Sequence, residues 1–334
     1  ITGFSIVTSI LISGVFVAFY TIIGGINAVI WTDVIQTIVL VLGGLLTLGV
    51  IINHLPGGLG QIFSVAIADG KLSLSEMTSS GFRSIGWGLS ITKKTGTMLF
   101  LVGLTSWLTE YSANQNIIQR YAAAKSTYEA RKAMLVCVLS SIPIWAFYMF
   151  LGTSLYVFFQ IFPTIEATEM LDGTRKAEQI FPYFILNFLP PGLTGLVIAA
   201  ALAAAMSSLD SSINAISTVG VVDIYRRHLK KNKKDSHYLQ VAWIIAGCAA
   251  IFMVGGALIL NVSETKTLQD TATILASITG GGLLGLYLLG FFTKYGNAKS
   301  VWIGLIATSL FTTWTILSSR GWVPDWMHVP FDLY

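Results

Sequence analysis

Residues Ala199–Ala215 read AAALAAAMSSLDSSINA, a stretch that passes from apolar residues into four serines and an aspartate. No proline or glycine interrupts it, so the pattern predicts one helix that continues through the polar residues. The helix therefore carries a carboxylate and several hydroxyls on a largely apolar scaffold. What surrounds it is decided by the rest of the chain.

The composition of the chain places this helix in a membrane. Of its 334 residues, 54% are hydrophobic and 11% are charged, and the mean hydropathy is +0.72. Globular domains carry about 25% charged residues. The apolar runs are roughly 20 residues long, whereas a transmembrane barrel shows alternating segments of about 10 residues. The sequence predicts an all-α integral membrane protein.

We read about eight membrane helices and one transmembrane domain over residues 1–334. Between the first two segments stands only Gly24-Gly25, which predicts a tight turn of a helical hairpin. A shorter apolar stretch at about 177–189 leads into the fifth segment. The eight segments are roughly 2–23, 26–54, 96–119, 131–162, 190–222, 239–260, 268–293 and 300–318.

Basic residues set the expected orientation. The loop Arg120 to Lys132 carries four Lys or Arg, the loop Arg226 to Lys234 carries six, and Lys294 and Lys299 add two. These loops lie on one side if the spans alternate, and the positive-inside rule makes that side cytoplasmic. We therefore expect a multi-pass protein of the plasma (inner) membrane, with no nucleic-acid partner despite the basic pI. Because Ile1 is not a methionine and opens a span, we expect an internal portion of a longer protein.

Three carboxylates fall within predicted spans: Asp33, Glu110 and Asp210. A charged side chain in a span costs about 2.5–3.5 kcal/mol on insertion scales, so each is a candidate functional residue. The alternative is that each lies near an interface or pairs with Arg or Lys as a structural contact. The sequence leaves both interpretations open.

Helical spacing of three and four residues brings Ala204, Ser207, Ser208 and Ser211 to one face. Hydroxyls and a free main-chain carbonyl are hard oxygen ligands that suit an alkali cation, and a nearby carboxylate supplies compensating charge. Small residues also let helices pack closely, which is the alternative explanation. The two serine pairs that flank Asp210 favour the cation site.

Three ordered motifs resemble one family. GGINAVIWTDVIQT, NQNIIQRYAAAKSTYEARKA and AAALAAAMSSLDSSINA are similar, in order and spacing, to the sodium:solute symporter family, and the resemblance covers essentially the whole chain. It implies an inverted-repeat transporter core of five plus five helices. The chain would supply the last two helices of the first repeat, all of the second repeat, and one extra helix.

The resemblance also implies sodium ligands. The principal sodium site would take the Ala204 carbonyl and the hydroxyls of Ser207 and Ser208, with its other half on a helix that this chain lacks. A second site found in some members would take Asp33, Ser208 and Ser211. Asp210 stands where family members carry a small or hydroxyl residue, so it either adds an anionic oxygen to that site or pairs with a basic residue such as Arg120.

Candidate solute-binding residues lie on the third segment. Trp107, Glu110, Tyr111 and Asn114 share one helical face, where aromatic rings stack on a solute and Asn or Glu bond its hydroxyls. An ordinary aromatic packing stripe is the alternative. Thr273, followed by Gly280-Gly281-Gly282, is a further candidate on the seventh segment.

The expected function is a sodium-coupled symporter that imports a sugar, sialic acid or other organic acid by alternating access. The expected partners are the solute, sodium as the bound ion, and the lipid bilayer. A cation channel or a sodium-independent carrier of the same fold is the alternative, although no repeated filter sequence is seen. We do not expect an enzyme, because the four histidines lie in or beside loops without metal-ligand spacing.

Overall fold

The computed structural model describes residues 5–72, 75–78, 81–90, 93, 95–261, 282–294, 296–319 and 321–329. The chain divides into two compact units. Unit 1 comprises Ile1–Ser64 and Gln119–Glu264, and unit 2 comprises Val65–Ile118 and Thr265–Tyr334. The single domain over residues 1–334 stays a prediction.

Unit 1 begins with helix α1, Ile6–His54, which starts where the Ser5 hydroxyl accepts the Thr8 N–H. An unbroken helix of this length would extend about 74 Å, more than twice the hydrocarbon core of about 30 Å. The helical backbone is interrupted at Gly25, where φ is 56° and ψ is −154°. This conformation is essentially restricted to glycine. It divides α1 into a first arm, residues 6–24, and a second arm, residues 26–54.

The two arms double back on each other. The hydroxyls of Tyr20 and Thr32 lie 2.6 and 3.4 Å from the same oxygen, Oδ2 of Asp210. Residues twelve apart in a straight helix are separated by about 18 Å, which two such side chains do not bridge. The chain must therefore reverse between them, which confirms the hairpin predicted at Gly24-Gly25.

The α1 hairpin packs on two further helices, α8, Pro191–Val219, and α9, Asp235–Asn261. A π-helical segment, Gly220–Leu229, prolongs α8. A Cβ added at Gly43 of α1 would lie 3.0 Å from the Cβ of Ala200 on α8. The absence of a side chain at Gly43 therefore permits the two helices to approach closely. The buried core between these helices contains Val17, Ile213, Ala246 and Ala250.

The rest of unit 1 consists of one further long helix and several short helical elements. Ser126 caps helix α5, Thr127–Ile161, through the Glu129 N–H at 3.2 Å. Phe158 of α5 packs edge-on against Phe184, at 5.0 Å between ring centroids. The remaining helical elements here are α2, Gly58–Ala68, which continues into unit 2; α6, Ile165–Leu171; a 3-10 turn, Ala177–Gln179; and α7, Ile180–Phe188.

Unit 2 contains an antiparallel hairpin in the predicted long loop, with β1, Ser75–Thr78, paired to β2, Gly81–Ser84, so that Ser75 faces Ser84. Its helices are α3, Gly96–Ala113, α10, Leu283–Phe292, and α11, Ala298–Ser319, followed by a 3-10 turn, Asp325–Met327. Helix α3 packs against α10.

One predicted segment is broken in the structure. The continuous helix expected over 96–119 ends at Ala113, and α4, Gln115–Ala122, begins after Asn114, whose ψ of 121° is extended. The Asn114 side chain explains the restart, because its Oδ1 accepts the Asn116 N–H at 2.9 Å and so caps α4. Neither proline nor glycine marks this break in the sequence, so a continuous helix was predicted across it.

Within the described residues, five helices are long and apolar enough to cross a membrane: α1, α5, α8 with its π-helical extension, α9 and α11. Helix α1 is long enough for two spans, one in each arm. Of the other predicted spans, 96–119 is divided at Asn114. Most of 268–293 lies outside the described residues.

Candidate ion-binding site

The aspartate of the serine-rich stretch is fully buried in unit 1. Asp210 has 0% of its surface exposed. Its Oδ2 accepts the Tyr20 hydroxyl at 2.6 Å, and its Oδ1 accepts the Ser211 hydroxyl at 3.2 Å. The Thr32 hydroxyl lies 3.4 Å from Oδ2 but has a nearer acceptor in the Ala28 carbonyl, at 2.9 Å. Asp210 is therefore held mainly by Tyr20 and Ser211.

The second carboxylate, Asp33, forms an ion pair. Its Oδ2 lies 2.6 Å from Nη2 of Arg120 on α4, and its side chain is 13% exposed. Its other oxygen, Oδ1, accepts the hydroxyl of Ser207 on α8. Asp33 thus joins the second arm of α1 to both α4 and α8.

Ser211 connects the two carboxylates. The same Nη2 of Arg120 that contacts Asp33 donates to the Ser211 hydroxyl oxygen at 2.7 Å, and this hydroxyl in turn donates to Asp210. The cluster of Asp33, Ser207, Asp210, Ser211 and Arg120 is called the inner cluster below. With both acids ionised, its two carboxylates and one guanidinium leave one negative charge in excess.

The inner cluster offers hard oxygen ligands of two kinds, carboxylate and hydroxyl. Such oxygens suit alkali and alkaline-earth cations rather than soft metals. Among the described residues, no three His, Cys, Asp or Glu side chains gather to hold a metal ion. The excess of a single negative charge matches a monovalent cation.

Two of the predicted sodium ligands lie on another side of α8. The Ser208 hydroxyl points back to the Ala204 carbonyl at 3.4 Å, and Ser208 is exposed in the structure. Ala204 and Ser208 form one helical column, whereas Ser207 and Ser211 form the column that faces Asp33 and Arg120. Their role as ligands of the principal sodium site stays a prediction.

The structure tests one of the alternatives for Asp210, and its role as an ion ligand stays a prediction. Arg120 pairs with Asp33, so the alternative in which Arg120 pairs directly with Asp210 is wrong. The reason is geometric: Ser211 stands between the Arg120 guanidinium and the Asp210 carboxylate. The sequence analysis did not identify Tyr20. A tyrosine within an apolar span could have indicated it, because a buried tyrosine hydroxyl usually has a hydrogen-bond partner.

The candidate solute residues belong to unit 2. Asn114 Nδ2 donates to Glu110 Oε2 at 2.7 Å, and the rings of Trp107 and Tyr111 are 5.9 Å apart and tilted by 46°. The four side chains therefore line the end of α3 beside its break. Thr273 lies outside the described residues.

The chain is similar to known transporters. The model of the sodium:solute symporter family matches residues 1–308. The sodium/sialic acid symporter SiaT of Proteus mirabilis is 33% identical over 291 residues, which cover 86% of this chain and 55% of that protein. The sodium-coupled monocarboxylate transporter 1 of Homo sapiens is 27% identical over 332 residues, 97% of this chain and 51% of that protein. The chain spans about half the length of these curated relatives.

A solved structure shares the fold. It is described as a substrate-bound outward-open state of a Na+-coupled sialic acid symporter that reveals a novel Na+ site. The two chains superpose with a TM-score of 0.77 at 30% identity, over 96% of this chain and 62% of the other. This likeness confirms a membrane fold that is helical apart from the short β-hairpin, and the inverted-repeat arrangement is consistent with it.

Proposed function

Because this chain belongs to the sodium:solute symporter family, we propose that it is the part of a sodium-coupled symporter that contains the whole second repeat and an inner ion site. The full protein would import a small organic solute by alternating access. Members of the family are multi-pass plasma-membrane proteins, and the five membrane-length helices agree with that location. The described relatives are transporters, and we propose that this protein has no enzymatic activity.

The inner cluster carries the sodium proposal. Asp33, Ser207, Asp210 and Ser211 present oxygens around a guanidinium that is already paired, so a bound sodium ion would neutralise the remaining charge. Asp210 would add an anionic ligand, which raises the affinity of an oxygen site for cations. A second ion at the Ala204 carbonyl, Ser207 and Ser208 is proposed from the family motif.

The names of the relatives support an organic acid as the solute. Those relatives are described as transporting sialic acid or monocarboxylates, and both classes carry a carboxylate at neutral pH. Trp107, Glu110, Tyr111 and Asn114 are proposed to contact the solute, together with Thr273. The break at Asn114 exposes the ends of two helices, which is how many transporters form sites for ions and polar solutes.

Coupling follows from shared binding energy. Sodium and solute would stabilise together the state that reorients, so each raises the affinity of the other by the same factor. One charge that crosses a potential of 100 mV contributes about 2.3 kcal/mol, enough to accumulate solute more than tenfold.

Uptake into liposomes tests the proposal. The full-length protein would be supplied with labelled sialic acid, monocarboxylates, sugars and amino acids, with and without an inward sodium gradient. We expect accumulation of an organic acid only with the gradient. Uptake that is indifferent to sodium would instead support a sodium-independent carrier, and a solute-free sodium current would support a channel.

Two variants test the ligands. Asp33→Asn and Ser208→Ala are expected to abolish sodium-driven accumulation or raise the sodium concentration that it requires. Ser212→Ala is the control, because its hydroxyl bonds the Ser208 carbonyl at 2.9 Å and is not a proposed ligand. Unchanged uptake in both test variants would show that the serines serve helix packing.

A further inference from the structure

A groove of about 610 Å³ lies in unit 1, and no residue of the inner cluster lines it. It is bounded by the α1 turn at residues 21–25, by the end of α8 with its π-helical extension, and by the first three turns of α9. Its volume lies within the range of about 300–1,000 Å³ that is usual for ligand pockets. The groove is called the inner groove, because the positive-inside rule places this end of the helices at the cytoplasm.

Polar residues such as Asn214 and Ser217 line part of the inner groove, and the apolar side chains of its lining are the more exposed. Ile23 is 66% exposed, Val222 50%, Leu239 52% and Trp243 45%. Exposed apolar surface on a membrane helix faces lipid, and tryptophan is enriched where hydrocarbon meets the polar headgroups. The walls therefore suit an acyl chain better than a water-soluble ligand.

The depth of the groove matches one leaflet. Its lining on α9 runs from Asp235, where the helix starts, to Ala246, eleven residues further on. At 1.5 Å per residue this is about 16 Å. Half of a hydrocarbon core of about 30 Å is about 15 Å. An acyl chain that lies along α9 would thus extend from the headgroup region to the middle of the bilayer.

Cations are fixed at the polar end. The loop from Arg226 to Lys234 carries six Lys and Arg. Tyr238, which lines the groove, donates its hydroxyl to the Lys230 carbonyl at 2.8 Å and accepts the Lys233 N–H at 3.1 Å. The guanidinium carbon of Arg226 lies 5.1 Å from the centroid of the Tyr238 ring. Tyr238 therefore holds this basic loop beside the mouth of the groove.

We propose that the inner groove binds one anionic phospholipid of the cytoplasmic leaflet. The phosphate lies near Arg226 and the lysines of the following loop, and one acyl chain lies along Leu239 and Trp243. Basic clusters directly cytoplasmic of a membrane helix are typical of anionic-lipid recognition. Asp235 also lines the mouth, but the six cations of the loop outweigh its charge. The proposal does not depend on the ion or the solute.

The test uses the full-length protein in detergent micelles, with phosphatidylglycerol or phosphatidylcholine titrated in and retained lipid measured by native mass spectrometry. We expect one phosphatidylglycerol to be retained in preference to phosphatidylcholine. Arg226→Gln should weaken its apparent affinity about fivefold. Arg131→Gln, an exposed basic residue of another predicted cytoplasmic loop, is the matched control and should change nothing.

A second variant tests the acyl-chain position. Ala242→Leu adds volume on the groove lining, and retention should fall although no charge changes. Elution as a single sharp peak in size-exclusion chromatography checks its folding. If Ala242→Leu does not fold, the charge variants still decide the question. Equal retention of both lipids, equal weakening by Arg226→Gln and Arg131→Gln, or displacement by glycerol phosphate alone would overturn the proposal.

Discussion

The carboxylate of Asp210 is buried away from water. Within the described part of the chain, hydroxyl groups donate to it and no basic side chain forms an ion pair with it. Removing a charge from water costs several kcal/mol unless it is paired or hydrogen-bonded. The bonds from Tyr20 and Ser211 offset part of this cost. Under the proposed function, a bound sodium ion offsets the rest of this cost. The negative charge of Asp210 would therefore contribute strongly to sodium affinity.

Asp210→Asn removes that charge and keeps nearly the same shape. We expect the sodium concentration for half-maximal uptake to rise roughly tenfold. A tenfold change corresponds to about 1.4 kcal/mol, which is close to the free energy of one charge-assisted contact. Sodium titration of uptake in liposomes measures this. Asp223→Asn is the matched control, since Asp223 is exposed on the π-helical extension of α8. Equal effects of the two substitutions would refute a specific role for Asp210.

The pair of Asp33 and Arg120 predicts strong coupling between two substitutions. Arg120→Gln should destabilise the protein by about 1–3 kcal/mol, less than a fully buried pair, because the Arg120 side chain is 35% exposed. Asp33→Asn combined with Arg120→Gln should cost less than the sum of the single changes. Thermal unfolding in detergent of the unchanged protein, the two single variants and the double variant gives the double-mutant cycle. Simple additivity would mean that the contact contributes no stability.

At the scale of helices, the reversal in α1 depends on one backbone conformation. Gly25→Ala meets no atom within 4 Å, so its cost is due to the positive φ alone. We expect a loss of about 1–3 kcal/mol and a lower melting temperature. Gly49→Ala in the second arm, also without a near neighbour, should be neutral or slightly stabilising. A tolerated Gly25→Ala would contradict the hairpin geometry.

The break between α3 and α4 gives another prediction at this scale. Asn114→Ala removes the cap of α4 and the bond to Glu110, and should cost about 1 kcal/mol. Solute affinity should fall in the same variant if the break contacts the solute. Asn116→Ala keeps the main-chain N–H that Asn114 binds, and serves as control. Melting curves and competition uptake assays separate the two effects.

For the whole molecule, the number of sodium ions decides the response to voltage. One sodium with a monovalent organic acid carries no net charge, whereas two carry one positive charge. Because the chain has candidate ligands for two ions, we expect an inside-negative potential of about 100 mV to raise accumulation some fortyfold. Uptake at equal sodium on both sides, with and without the potential, measures this. Insensitivity to voltage would leave one ion per solute.

The sequence predicted those features that follow from hydropathy and helical spacing. The membrane-length helices and the turn at Gly24-Gly25 were expected. Asp33 was expected beside Ser208 and Ser211, whereas its carboxylate accepts the hydroxyl of Ser207. The break at Asn114 was not expected, because neither proline nor glycine marks the one extended residue. Likewise, Arg120 had several possible carboxylate partners, and only the packing of α1, α4 and α8 selects Asp33.

Oδ2 of Asp210 lies within 3.4 Å of hydroxyls from both arms of the α1 hairpin. A slide of α8 along the hairpin by one helical turn, about 5.4 Å, would separate this atom from Tyr20 and Thr32 together. This single oxygen therefore ties α8 to both ends of the hairpin turn, so movement of α8 is coupled to the way the two arms pack on each other.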